Sequence, residues 1–181
     1  GNNNIQQITL TYPYNIFLYN IIYMNKGGHP ENCTVKITKN YVLKKYKKNS
    51  HQGYVNELFF YLLSKKKKLN YIPELIDYNP VNRTLKTKNV GIPIDQYCSD
   101  NEIDIDTFLP KIKQIYNKFR ALGYYHNDLR YKNILINETT KKIYLIDFEY
   151  TDIEYKDKDD QNIIKKLNSL KSKSKSKSKK K

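Results

Sequence analysis

The residues with the clearest chemical potential lie in two short segments, YYHNDLRYKNILIN at 124–137 and IYLIDFEY at 143–150. The first contains Asp128 and Asn133, five residues apart, and the second contains Asp147 at the end of an apolar run. The predicted order is a loop that carries Asp and Asn, a hairpin, and an Asp at the end of a strand. This order would bring three side chains with oxygen ligands to one edge of the hairpin. Mg²⁺ prefers such oxygen ligands and usually takes only one or two from protein. The pattern therefore predicts phosphoryl transfer, with Asn133 and Asp147 holding the metal ions and Asp128 accepting the proton of the attacking hydroxyl.

The combination of residues, and no single residue, carries this interpretation. An Asp-x4-Asn spacing alone usually belongs to a solvated loop. The pattern H-x-D-x4-N followed at a short interval by I-D-F is far rarer, and it favours the functional interpretation. We expect His126 to be structural and to hold the loop by a hydrogen bond.

Phosphoryl transfer also needs a cation at the nucleotide phosphates. The predicted strand YVLKKY offers Lys44 and Lys45, whose side chains point to opposite faces. Lys44 shares a face with Val42, as in the V-A-I-K pattern of kinases, and we therefore assign the role to Lys44. Glu57, on the next helix, is its expected ion-pair partner, although a lone Glu on a helix more often faces solvent.

The first ninety residues predict a small sheet with one helix packed on it. The predicted strands are YNIFLYNIIYM (14–24), CTVKIT (33–38), NYVLKKY (40–46), IPELIDYN and RTLKTKN. From Gln52 the period changes to 3.6, and the predicted apolar face is Val55, Leu58, Phe59 and Leu62. The lysines at 65–68 suit the negative C-terminal end of this helix and end it. Between the first two strands, Gly27 and Gly28 would let backbone N–H groups approach phosphate, although two glycines and a proline also make an ordinary hairpin.

The second half predicts a mainly helical lobe around a hairpin. Residues 91–104 show no periodicity and form a connector. The next amphipathic helix has the apolar face Leu109, Ile112, Tyr116, Phe119 and Leu122. The apolar triplets 134–136 and 144–146 predict the hairpin, and residues 158–170 predict a last helix.

These elements give an α+β fold class with two lobes. The predicted organisation is a flexible segment 1–10, an N-terminal nucleotide-binding lobe 11–90, a linker 91–103, a reduced and mainly helical C-terminal catalytic lobe 104–170, and a disordered Lys/Ser tail 171–181.

The composition is strongly basic, with a formal net charge of +15, of which seven charges lie in the Lys/Ser tail. A basic chain can meet nucleic acid or an acidic membrane. Abundant Asn, Lys, Ile and Tyr, all with AT-rich codons, favour genome composition as the main source of the charge.

Cys33 and Cys98 give neither a disulfide framework nor a metal pattern, so we expect a reducing, cytoplasmic location. No apolar run approaches a membrane span, so we expect no integral membrane association.

The segments HNDLRYKNIL and YLIDFEY resemble the choline/ethanolamine kinase family, in the aminoglycoside-phosphotransferase branch of the protein-kinase-like fold. Protein kinases usually carry Arg after the His and Gly after Asp-Phe, whereas this chain has Asn127 and Glu149, in the choline-kinase style. GIPIDQY is similar to the family's linker between lobes, and KGGHPENCTVKI to its Gly-Gly nucleotide loop, with extra residues after the glycines. The similarity spans about residues 25–150 and implies a two-lobed kinase-like fold.

The resemblance implies ATP and Mg²⁺ as cofactors and a small-molecule hydroxyl as acceptor. It makes Asp128 the base, and Asn133 and Asp147 the metal ligands. Lys44 stands where a basic residue contacts phosphate, with Glu57 as its partner.

The resemblance also implies which residues contact the adenine of ATP and the ammonium group of the acceptor. Gln96 and Tyr97 fall where backbone groups hold the adenine. Tyr150 matches an aromatic residue that packs on the substrate ammonium by a cation–π contact. In a chain with 18 tyrosines, a merely structural Tyr150 is an equal alternative.

The departures from the family leave other functions open. Family members are far longer, with extra helices before the catalytic loop and a helical subdomain after it that supplies Trp. This chain has no Trp. A minimal protein kinase and an inactive nucleotide-binding module are therefore the alternatives. A second copy of the chain could complete the lobe, and the Lys/Ser tail could tether the protein to nucleic acid or an acidic membrane.

Overall fold

The computed structural model describes residues 33–156 and 159–176, the last six of them by backbone alone. The predicted flexible segment 1–10, the strand at 14–24 and the turn with Gly27 and Gly28 lie outside the described residues, as does the end of the Lys/Ser tail. The predicted two-lobed α+β fold is confirmed: a small antiparallel sheet with one helix precedes a mainly helical part.

The N-terminal lobe contains a four-stranded antiparallel sheet in the order β1-β2-β4-β3. Its strands are β1 (Cys33–Ile37), β2 (Tyr41–Tyr46), β3 (Leu75–Asn79) and β4 (Thr84–Lys88). All four were predicted from their β-branched and aromatic content. The first hairpin closes tightly, with the Thr38 N–H donating to the Tyr41 carbonyl at 2.9 Å. The register places Val35 opposite Lys44 on one face of the sheet.

One helix, α1 (His51–Lys67), packs on this sheet and ends within the lysine run 65–68, with Lys68 in the left-handed region at φ 52°. The helix is confirmed, but its predicted apolar face is only half-buried, and Leu62 is 39 % exposed. The buried face carries Tyr54, Glu57, Phe60, Tyr61 and Ser64. Counting aliphatic residues missed this face because it is built from phenols around a charged group.

The connection between the lobes is more ordered than the predicted connector. It contains a two-residue strand, β5 (Ile92–Pro93), and a short helix, α2 (Ile94–Asp100). Gly91, at φ 143°, precedes them, and a Cβ atom built there would lie 2.0 Å from the Ile136 carbonyl oxygen. At position 91 the backbone of the connection lies so close to the second lobe that only glycine, which has no Cβ atom, fits there.

The C-terminal lobe joins helices to a second sheet. Its elements are α3 (Leu109–Arg120), β6 (Ile134–Ile136), β7 (Ile143–Leu145) and α4 (Gln161–Ser176). The sheet order is β5-β6-β7, and Ile134 pairs with Leu145 in the predicted hairpin. The second strand lies one residue earlier than predicted, and α4 begins three residues later. This helix continues six residues past Leu170, into the segment for which disorder was predicted.

An aromatic stack connects the two lobes. The Phe148 ring, fully buried, lies 5.3 Å from Phe60 of α1, 5.7 Å from Phe119 of α3 and 5.3 Å from His126, measured between ring centroids. Aromatic side chains bury large apolar areas and prefer such offset contacts. Because Phe148 directly follows Asp147, the stack fixes the position of that carboxylate. No helix among the described residues is long and apolar enough to cross a membrane.

Candidate active site

The centre of the candidate site is the Lys44 ammonium, which bridges the two lobes. Its Nζ lies 2.9 and 3.0 Å from the two carboxylate oxygens of Glu57 and 2.9 Å from Asp147 Oδ1. Lys45 is exposed on the opposite face of β2. Burial alone would lower the pKa of Lys44, but the carboxylates of Glu57 and Asp147 outweigh it and hold that pKa well above its usual value. Lys44 is therefore a fixed positive charge beside Asp147.

The Glu57 carboxylate is fully buried and accepts two hydrogen bonds in addition to those from Lys44. The Tyr46 hydroxyl donates to Oε2 and the Tyr61 hydroxyl donates to Oε1 at 3.3 Å. Burial raises the pKa of Glu57 to about 7, because the loss of water outweighs the attraction of Lys44. Both tyrosines were missed in the sequence, where nothing distinguishes them among so many others.

Asp128 and Asn133 are joined directly within one loop. A 3-10 turn (Tyr131–Asn133) folds the chain back so that Asn133 Nδ2 donates to Asp128 Oδ2 at 2.8 Å and to the Asp128 carbonyl at 2.9 Å. The Arg130 guanidinium donates to the other carboxylate oxygen of Asp128. The Asn133 amide nitrogen is thus engaged with Asp128, which leaves Oδ1 as the atom of this side chain that could bind a cation. Arg130 was not predicted as a site residue.

The backbone on either side of Asp147 is tied to this loop. The Ile146 N–H donates to the Asn133 carbonyl at 3.1 Å, and His126 Nε2 lies 2.9 Å from the Ile146 carbonyl oxygen. Burial lowers the pKa of His126, so the ring is neutral and donates from Nε2. Asp147 itself has φ 70°, a left-handed conformation that turns its side chain out of the strand direction towards Lys44. The structural role predicted for His126 matches this hydrogen bond.

Two further polar residues, Asp159 and Asn127, attach the loop that contains Asp128 to residues 154–159. Asp159 Oδ1 accepts from the Leu129 N–H at 2.6 Å, and Asp159 is 4 % exposed. Asn127, at φ 59°, donates from Nδ2 to the Glu154 carbonyl and accepts from the Lys156 N–H, both at 2.9 Å. Because Asn tolerates left-handed backbone conformations, the residue type at position 127 could have indicated a structural role for Asn127. Asp159 lies thirty residues from the N–H that it binds, so no local pattern could reveal it.

Gln96 and Tyr97 do not lie where the predicted adenine contact requires free backbone groups. Both are inside α2, where the Tyr97 carbonyl accepts from Asn101 and the Gln96 N–H donates to Asp95 Oδ1. The segment that crosses between the lobes comes earlier, at residues 89–91. The short α2 was not predicted, because the segment shows no periodicity.

Tyr150 lies three residues beyond Asp147 and is half-buried, with the Glu149 carboxylate as a hydrogen-bond partner. Burial is the main reason that the pKa of Tyr150 is raised. The same segment is attached to α1, because Asn56 Nδ2 donates to the Glu149 carbonyl at 2.9 Å. Its position keeps Tyr150 on the side of the site that holds Asp128 and Asp147, whose charges contribute to that pKa.

The oxygen donors fit Mg²⁺ better than a transition metal. Among the described residues, no group of three or more His, Cys, Asp or Glu side chains could hold a metal ion. One amide oxygen of Asn133 and one carboxylate of Asp147 are the small protein share that Mg²⁺ usually takes, the remainder being water and phosphate. Lys44, Glu57 and Asp147 thus form one side-chain cluster, and Asp128 and Asn133 form a second. The backbone hydrogen bond from the Ile146 N–H to the Asn133 carbonyl joins the segments that carry them.

The fold and this network place the chain among proteins with the protein-kinase-like fold. The crystal structure of monomeric WbdD superposes with a TM-score of 0.57 over 78 % of this chain and 37 % of that one, at 15 % sequence identity. The sequence profile of the choline/ethanolamine kinases matches residues 69–163, more than half of the chain. The chain therefore belongs to the choline/ethanolamine kinase family.

Two curated plant proteins share part of this region. Probable choline kinase 3 of Arabidopsis thaliana is 43 % identical over 47 residues, which are 26 % of this chain and 14 % of that protein. Probable choline kinase 2 of the same plant is 44 % identical over 39 residues, 22 % of this chain and 11 % of its own length. The matched segment thus spans a small fraction of these relatives.

Proposed function

We propose that this protein is an ATP- and magnesium-dependent phosphotransferase that transfers the ATP γ-phosphate to a hydroxyl of a small amino-alcohol-like acceptor. The observation that carries the proposal is the bridge of Lys44 between Glu57 and Asp147, at 2.9 Å to each carboxylate. A cation placed between a buried anchor and a metal-binding carboxylate can bind nucleotide phosphates without losing its orientation.

Each residue of the network has a role in this proposal. Bound Mg²⁺ would neutralise charge on the phosphates and would be held by Asn133 Oδ1 and Asp147. Lys44 would contact the same phosphates. Asp128 would accept the proton of the attacking hydroxyl, and Asn133 keeps its carboxylate oriented through the 2.8 Å hydrogen bond to Oδ2.

The adenine would lie against the crossing segment at 89–91 rather than against Gln96 and Tyr97. Val35, opposite Lys44 in the register and 50 % exposed, would add an apolar contact on the face of the sheet that carries Lys44. The Asn89 and Gly91 N–H groups and the Val90 carbonyl already have partners within the protein, so the base would use the remaining backbone groups of this segment.

The acceptor side supports two classes of substrate. Tyr150, next to the carboxylate of Glu149, would suit the ammonium group of an amino alcohol by a cation–π contact. The Arg130 guanidinium on Asp128 favours a second candidate, because a cation beside the base disfavours a positively charged acceptor. That candidate is transfer to an uncharged hydroxyl, such as one on a protein side chain.

A panel of acceptors distinguishes these candidates. Turnover of magnesium-ATP would be measured with choline, ethanolamine, an aminoglycoside and a generic basic protein. Turnover with one amino alcohol, lost in Tyr150→Leu and kept in Tyr150→Phe, would support the first class. Turnover with protein alone would support the second, and binding of magnesium-ATP without any turnover would contradict both.

A further inference from the structure

The Glu57 carboxylate depends on two phenol groups that the proposed chemistry does not use. Tyr46 and Tyr61 are 1 % and 3 % exposed, and Glu57 is fully buried, so water cannot replace their hydroxyl groups as donors. Their hydrogen bonds reach different oxygens of the carboxylate, Tyr46 to Oε2 and Tyr61 to Oε1. The carboxylate is therefore fixed in rotation as well as in position.

The Tyr46 backbone is held by the sheet, whereas its ring and hydroxyl group contact the helix that carries Glu57. Its backbone N–H donates to the Arg83 carbonyl at 2.9 Å, and the Arg83 side chain donates to the Tyr46 carbonyl at 3.4 Å. Its ring lies edge-on to Tyr54 of α1 at 5.9 Å between centroids. The hydroxyl group thus joins β2 to α1 at a point two residues beyond Lys44, independently of the Lys44 ion pair.

The position of Lys44 follows from that of Glu57. The ammonium lies between two carboxylates, of which Glu57 is fully buried and Asp147 is 28 % exposed, so Glu57 is the more firmly fixed anchor. We propose that Tyr46 is a positioning residue: with the help of Tyr61 it fixes the Glu57 carboxylate, and thereby holds the Lys44 ammonium in line with the nucleotide phosphates. This inference rests on the proposed function, because it assigns a consequence for nucleotide binding.

The chain contains a matched control for removing the Tyr46 hydroxyl. Tyr54 is 2 % exposed and packs against the same helix and sheet, but its hydroxyl has no hydrogen-bond partner among the described residues. Tyr46→Phe and Tyr54→Phe therefore remove the same atom from equally buried rings. Only the first removes a hydrogen bond to a charged group.

The test measures magnesium-ATP affinity by calorimetry on the full chain and the ATP kinetics of any turnover. Tyr46→Phe should weaken the affinity by about tenfold, the effect of losing one hydrogen bond to a charged group. The KM for ATP should rise by a similar factor while kcat at saturating ATP changes by less than about twofold, because the base is untouched. Tyr54→Phe should change affinity by less than about twofold, and Tyr61→Phe, with its longer bond, should lie between the two.

A double-mutant cycle shows whether Tyr46 acts through Glu57. In the Glu57→Gln background, Tyr46→Phe should change the affinity by less than about twofold, because a neutral amide at this position forms no ion pair with Lys44 through which Tyr46 could act. Unfolding midpoints of all variants identify any loss of affinity that comes only from loss of folded protein.

The outcomes separate the inference from the proposed function. If the wild type does not bind magnesium-ATP, both fail. If the wild type binds and Tyr46→Phe behaves like Tyr54→Phe, or keeps its full effect in the Glu57→Gln background, the positioning role is wrong and the proposed function stands.

Discussion

Replacing Asp159 with Ala tests whether a residue distant in sequence holds the candidate base in place. Asp159 accepts the Leu129 N–H at 2.6 Å and the Tyr116 hydroxyl at 3.4 Å. A hydrogen bond to a charged group contributes roughly 1.5–3 kcal/mol, and the second, longer bond contributes less. We therefore expect Asp159→Ala to lower the free energy of unfolding by roughly 2–4 kcal/mol, since the buried Leu129 N–H keeps no acceptor. Because Leu129 follows Asp128, transfer should fall by at least about tenfold while magnesium-ATP affinity is kept.

Two further variants make this prediction specific. Burial is the main reason that the pKa of Asp159 is raised, so the neutral amide of Asp159→Asn avoids a desolvation penalty and should cost about 1 kcal/mol. Asp106→Ala removes a half-exposed ion pair with Lys166 and should cost less than about 1 kcal/mol. Urea unfolding followed by circular dichroism measures all three. If Asp159→Ala is as stable as Asp106→Ala and retains full transfer, the anchoring argument is refuted.

Three other predictions follow from the same network and the fold. Lys44→Met should weaken magnesium-ATP binding by at least about tenfold in calorimetry, whereas Lys45→Met, on the exposed face, should bind like the wild type. The pKa of Glu57 is about 7 in the folded protein against a usual 4.5, so the folded state holds this proton more tightly. The stabilisation that comes from this tighter proton binding is complete below pH 4.5 and is lost as the pH rises through 7. The free energy of unfolding should therefore fall by roughly 3 kcal/mol over this range. Urea unfolding should detect the change, and Glu57→Gln should abolish it. Gly91→Ala should lower the thermal midpoint strongly, because the added Cβ atom would lie 2.0 Å from a backbone oxygen of β6. Gly123→Ala is the control: its backbone has φ 92° and open space around it, so the substitution should cost only about 1–3 kcal/mol of backbone strain.

The elements with strong local signals were predictable from the sequence. The alternation in β1 and β2 and the apolar triplets of the hairpin correspond to strands in the structure. The same alternation places Lys44 rather than Lys45 beside Glu57 and Asp147. These predictions succeed because a two-residue period determines which face of a sheet a side chain occupies.

The predictions that failed depended on tertiary contacts. The buried face of α1 is chosen by the phenols that surround Glu57, and no aliphatic period marks it. The predicted linker begins at residue 91, where the crossing segment at 89–91 ends, because only its close approach to Ile136 identifies that segment. Asp159 was missed because its hydrogen bond to the Leu129 N–H joins segments thirty residues apart. Arg130, only two residues from Asp128, was not predicted as a site residue.

The most direct test of the proposed phosphoryl transfer compares wild type with Asp128→Asn, using ATP labelled on the γ-phosphate, Mg²⁺ and the acceptor panel. We expect a labelled acceptor with the wild type, a fall in transfer of at least about a hundredfold in Asp128→Asn, and nearly unchanged magnesium-ATP affinity in the variant. Equal transfer by both proteins would contradict the role of Asp128 as base. Failure of the wild type to bind magnesium-ATP would contradict the assignment of the Lys44, Asn133 and Asp147 network as a nucleotide site.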